Sequence, residues 1–137
     1  MVPRVVIDTN IFVSAAISAR GKPASVLDLV AAHKAILCVS QPILAEYEGV
    51  LLCLKLRLDP DRVRWLLVLA RQEGVVVKPT RTLDVSPDEA DNRFWECADA
   101  CAADFLVTGN IKDFPQEFKT TKIVTPQQFM SRMKEKK

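Results

Sequence analysis

Apolar residues gather in short runs that stop abruptly at polar ones. Val5, Val6 and Ile7 end on Asp8; Ile36, Leu37, Cys38 and Val39 end on Ser40; Phe105, Leu106 and Val107 end on Thr108. Val75, Val76 and Val77, and the shorter pair Ile123 and Val124, repeat the pattern. Unbroken runs of this length, rich in β-branched residues, read as strands buried on both faces, which is how parallel sheets are built. Between them the apolar spacing turns helical. It predicts a helix starting near Ile11 and stopping before Arg20-Gly21-Lys22-Pro23, then helices from about Ala24 to Lys34, Pro42 to Leu54 and Asp61 to Glu73. A helix through Phe94, Trp95, Cys97, Ala98 and Cys101, capped by Ser86 or Asp88, follows, and Pro126 opens a last one bearing Phe129 and Met133. Strands that alternate with helices along the whole chain predict one α/β domain over residues 1–137, a three-layer α/β/α fold around a central parallel sheet of four or five strands. Right-handed crossovers then put the loops after Asp8 and after Val39 on one edge of that sheet.

The helix from Asp61 to Glu73 holds Trp65, Leu66, Leu67, Val68 and Leu69 in a row. A helix that is apolar nearly all round lies deep in a core or beneath another chain, and a small domain has limited depth, so the expectation is a homodimer contact centred on Trp65 and Leu69.

Bulk composition narrows the class. Apolar residues make up 49% and charged residues 26%, and no apolar run approaches the ~20 residues that span a bilayer, so no membrane partner is expected. Met1-Val2-Pro3-Arg4 leads straight into the first strand without the apolar core and cleavage site of a secretory signal, which predicts a cytoplasmic protein. Cys38, Cys53, Cys97 and Cys101 lack CxxC spacing and have one histidine, His33, to complement them, so they read as reduced core thiols rather than a zinc site. A net charge of +2 does not itself argue for a polyanion partner. The basic tail of Arg132, Lys134, Lys136 and Lys137 reads first as a solvated helix end that complements the dipole, with nucleic-acid contact as the alternative.

Candidate chemistry lies where strands end. Asp8 stands at the carboxyl end of a buried strand, where open α/β sheets place ligands. Capping of the next helix by Asp8, Thr9 or Asn10 explains the same residues equally well. Glu46 follows the second strand by about a helical turn, and there both it and Glu48 fit a role as dipole partners. Asp88 and Glu89 fit that role in their own helix, whereas Asp91, one turn further in, needs another reason. Asp8, Glu46, Asp91 and Asn110 can converge on one cleft. Like charges ~4 Å apart repel by about 4 kcal/mol at an effective dielectric of ~20, so clustered carboxylates take up protons or hold a cation. Oxygen ligands without histidine or thiolate favour Mg²⁺ or Mn²⁺, and a hard cation in an acidic cleft suits phosphoryl chemistry.

Four stretches carry a resemblance: Val6-Ile7-Asp8-Thr9-Asn10; Leu44-Ala45-Glu46-Tyr47; Asp91-Asn92-Arg93-Phe94 with Glu96-Cys97-Ala98; and Asp104 to Asn110 with Phe114-Pro115 beyond. In order and spacing they resemble the successive motifs of PIN-domain proteins, most closely the branch of toxin components of prokaryotic toxin-antitoxin pairs. The resemblance implies a Mg²⁺- or Mn²⁺-dependent ribonuclease acting on single-stranded RNA, a cognate antitoxin as partner, and Asp8, Glu46 and Asp91 as catalytic, metal-holding acids. It also implies supporting roles for Thr9, Asn10 and Thr108, the last orienting Asp8 or a metal-bound water.

The family's fourth acid falls on Asn110, whose amide oxygen can coordinate a cation but brings no charge; Asp113, one turn on, is a possible substitute. This departure keeps a rival open, a catalytically weak or inactive PIN-like module that binds RNA or a protein. A phosphoacceptor receiver domain, another doubly wound sheet, would use Asp8, Thr108 and Lys122. It would also need an aspartate after the third strand, where Val77 leads into Lys78 and Pro79.

Overall fold

The computed structural model describes residues 2–80, 82, 89–111 and 117–135, with the backbone alone for residues 89, 90, 117, 118 and 135. Its order is β1 (Arg4–Ile7), α1 (Thr9–Ile17), α2 (Lys22–Ala31), β2 (Ile36–Val39), α3 (Gln41–Leu51), a 3₁₀ turn (Leu54–Leu56), α4 (Pro60–Glu73), β3 (Val75–Val76), α5 (Glu89–Cys101), β4 (Phe105–Val107), β5 (Glu117–Phe118), β6 (Thr121–Val124) and α6 (Pro126–Glu135). The strands form one sheet in the order β3-β2-β1-β4-β6-β5. Five strands are parallel, as the run pattern predicts; β5 is a two-residue antiparallel edge on β6 that the pattern does not announce, because two residues carry no readable alternation.

Val5, Val6 and Ile7 are fully buried, and β1 takes the centre of the sheet because both its faces are apolar. From β1 the chain winds outward through β2 to β3, then crosses to β4 on the other side. The strand order therefore reverses between β1 and β4, whose register pairs Ile7 with Val107. A crevice opens outside the strand ends at such a reversal. Helices cover both faces, α5 packing on β1, β2 and β4, and α6 on β6 and α2.

Local signals set the helix starts. Ser40 caps α3 by accepting from the Ile43 amide at 3.4 Å, with Pro42 in the first turn. Asp59 caps α4 by accepting from the Asp61 amide at 3.1 Å, with Pro60 beside it. Gly74 ends α4 through close approach: a Cβ there would lie 2.3 Å from the Ala70 carbonyl oxygen and 2.9 Å from a Val39 methyl.

Several boundaries and surfaces correct the sequence reading. α2 stops at Ala31, three residues early, because His33 takes a left-handed conformation and the Lys34 amide turns back to the Leu29 carbonyl, an ending that here has no glycine to mark it. α3 stops at Leu51, and Leu54, expected in its buried stripe, is 92% exposed. α4 is not apolar all round. Val63, Leu66, Leu69 and Ala70 face the protein's own core, so Leu69 is no surface residue, while Trp65 and Val68 are exposed. Cys53 is exposed rather than in the core, whereas Cys38, Cys97 and Cys101 are buried. The expected caps Ser86 and Asp88 lie outside the described residues. No helix among the described residues is long and apolar enough to cross a membrane.

Candidate active site at the strand reversal

Asp8 follows β1 directly and is buried, its backbone amide donating to the Val107 carbonyl at 2.9 Å and so extending the β1–β4 ladder by one step. That step brings its side chain level with Thr108, which is fully buried. The Thr108 hydroxyl donates to Asp8 Oδ2 at 2.8 Å, and the Asn10 amide donates to Oδ1 at 3.4 Å. Asp8 thus caps α1 and faces the crevice at once. The two readings of this residue, cap and candidate functional carboxylate, are compatible.

Thr108 is fixed in turn. Its hydroxyl oxygen accepts from the Asn110 backbone amide at 3.0 Å, which leaves the hydroxyl proton directed to Asp8. Asn110 enters this chain through its backbone, and the residue itself is exposed.

Glu46 lies half-buried on α3 and accepts a hydrogen bond from the buried Thr9 hydroxyl. Asp8 and Glu46 are thereby linked through one residue, Thr9. Asp91 sits half-buried in the first turn of α5, the helix that packs on β1, β2 and β4. Two residues on, Arg93 donates to the buried Glu96 at 2.9 Å. Asp113 lies outside the described residues.

Donor chemistry at this edge is all oxygen, from the carboxylates of Asp8, Glu46 and Asp91 and the hydroxyls of Thr9 and Thr108, which fits a hard cation such as Mg²⁺ or Mn²⁺. Among the described residues no three acids, histidines or cysteines close up into a group that could hold an ion. The fit therefore rests on donor type and shared edge. Cys38, Cys97 and Cys101 are buried together away from these acids; the neighbouring Cys101 and burial push the Cys38 and Cys97 thiols up, and the Cys101 thiol donates to the Ala98 carbonyl at 3.9 Å.

The sequence gives Tyr47 no role of its own, either at its helical spacing in α3 or within Leu44-Ala45-Glu46-Tyr47. Tyr47 is fully buried, and its hydroxyl donates to the Ile7 carbonyl, one residue before Asp8. The readable signal was a hydroxyl on a core-facing position, since buried tyrosines need a partner. An open groove of about 480 Å³, none of whose lining residues is a candidate acid, is lined by Leu51, Leu54, Leu58, Leu67 and Val68 among others and bordered by Arg57 and Arg64.

Comparisons with known proteins agree with the topology. The family profile of the PIN domain matches residues 4–112. An uncharacterised protein of Methanocaldococcus jannaschii is 32% identical over 139 residues, covering 93% of this chain and 89% of the relative. A chain in the crystal structure of VapBC2 from Rickettsia felis, bound to a DNA fragment from their promoter, superposes with a TM-score of 0.57. It covers 89% of this chain and 98% of that one at 17% identity, a likeness of fold.

Proposed function

The chain belongs to the PIN-domain family, and from that premise we propose that it is a metal-dependent endoribonuclease cleaving single-stranded RNA, the toxin of a toxin-antitoxin pair. One observation carries the reading: a buried carboxylate, Asp8, stands at the strand reversal with donors on both oxygens, and the hydroxyl of the next residue, Thr9, holds Glu46. A carboxylate buried only to cap a helix does not need a second acid tied beside it.

Asp8, Glu46 and Asp91 would hold Mg²⁺ or Mn²⁺, with Asn110 or Asp113 as an additional oxygen donor. When bound, the cation supplies activation of water and neutralisation of charge growing at the phosphate. The chain's own residues hold this arrangement ready. Thr108 fixes the rotation of Asp8, the Asn110 amide fixes Thr108, and Thr9 fixes Glu46, so that neither Asp8 nor Glu46 must reorganise as charge develops. The test is cleavage of a single-stranded RNA oligonucleotide with and without Mn²⁺. Cleavage that is lost with chelator and lost in Asp91→Asn supports the reading; metal-independent cleavage sinks it.

The exposed, uncharged Asn110 favours a second reading, a catalytically weak module that binds RNA or protein. Metal-dependent stabilisation without cleavage would select it.

A cytoplasmic location and a cognate antitoxin accord with the motif resemblance and with the fold shared with VapBC2. We propose self-association through the outer face of α4, a reading supported by the exposure of Trp65 (39%) and Val68 (44%).

A further inference from the structure

We infer that Tyr47 is a positioning residue, whose hydroxyl ties α3 to the end of β1 and so sets where Glu46 stands relative to Asp8. The inference rests on the metal-site reading above. Tyr47 is fully buried, and its ring stacks on Phe12 of α1 with centroids 4.1 Å apart at 30°. Packing alone would fix that ring. The hydroxyl does something more specific, donating to the carbonyl of Ile7, the residue before Asp8. The ladder between β1 and β2 pairs Arg4 with Ile36 and Val5 with Leu37, so at Ile7 a side chain of α3 serves the backbone of β1.

Three side-chain bonds therefore meet on residues 7 to 9: Tyr47 holds Ile7, Thr108 holds Asp8, and Thr9 holds Glu46. Glu46 and Tyr47 are adjacent on α3, so the register of α3 against β1 is set at the point where Glu46 is presented.

Tyr47→Phe keeps the ring and removes the bond. Its reading is the Mn²⁺ concentration that gives half of the full thermal stabilisation. We expect this midpoint to rise about tenfold, the lower range for losing an outer-shell support of a metal ligand. Phe12→Leu, which removes the stacking partner and no polar group, should lower apo Tm while moving the midpoint less than about twofold. In a Glu46→Gln background, Tyr47→Phe should add little to the midpoint shift, because the two residues act as one unit. A second measurement avoids the variant. The chain has one tyrosine, so 3-fluorotyrosine labelling gives one fluorine resonance, which should shift on adding Mg²⁺ with the midpoint of thermal stabilisation. An unchanged midpoint in Tyr47→Phe, or an unmoved resonance, overturns the inference and leaves Tyr47 a core residue. A wild type with no metal-dependent stabilisation overturns the metal-site reading itself.

Discussion

At the carboxyl ends of β1 and β4, polar side chains lie inside: Asp8, Thr9 and Thr108 are buried, and each makes a hydrogen bond. At the corner formed by the end of α3, the 3₁₀ turn and α4, the order is inverted. Leu52, Leu54 and Val68 lie outside, around an open groove, and Trp65 is exposed as well. Burying a polar group costs about 1 to 3 kcal/mol unless it is bonded, so the first region persists because its donors and acceptors are matched one to one. Exposed apolar surface carries no such geometric demand. The first region is tuned to atoms in fixed places and the second to area alone, so single-atom changes should hurt the first and be tolerated by the second.

Changes to the acids should have the largest effect. Asp8→Asn and Asp91→Asn are each expected to lower RNA cleavage by at least ~100-fold, more than the loss of an outer-shell support costs. They should also remove most of the Mn²⁺-induced rise in Tm, since metal that binds only the folded state stabilises by mass action. A full Mn²⁺ shift in Asp8→Asn would remove Asp8 from the ligands.

Thr108→Val is the next step down. It takes the donor from Asp8 and the acceptor from the Asn110 amide while keeping the side chain's size. Cleavage should fall about tenfold, and urea denaturation should show a loss of about 1 to 3 kcal/mol. A cost in stability with unchanged cleavage would make Thr108 structural only.

Asn110→Asp should act more gently, lowering the Mn²⁺ concentration for half-maximal cleavage by a few-fold and lowering apo stability through repulsion from neighbouring acids. Asn110→Ala keeps the backbone amide that serves Thr108, so it should leave the Thr108–Asp8 contact and apo stability intact. If Asn110→Asp changes neither quantity, its side chain does not face the crevice.

The smallest effect on the folded chain is expected at the corner. Trp65→Lys with Val68→Lys should change monomer stability by no more than about 0.5 kcal/mol and leave RNA cleavage unchanged, while light scattering reports a monomer where the wild type is a dimer. A wild type that is monomeric at high concentration ends the proposed self-contact.

The sequence by itself determined five of the strands, their parallel arrangement and the shared edge of their carboxyl ends. Unbroken β-branched runs such as Val5 to Ile7 have one low-cost fate, and right-handed crossovers leave one edge for their ends. It also singled out Asp8, Glu46, Asp91 and Thr108, because the motifs that hold them are local in the chain. Tertiary structure alone decided what is inside. Leu54 and Leu69 are the same residue type in similar apolar spacing, yet the first is 92% exposed and the second 7%, because helix ends and packing partners lie far off in sequence. The antiparallel β5 and the left-handed turn at His33 were equally unmarked, having no length or glycine to announce them. Asn110 differs in kind: the chain names a side chain, and the fold uses its backbone amide. So it is with Tyr47, whose apolar spacing told of the core and whose hydroxyl found its acceptor, 40 positions away, only when α3 packed against β1.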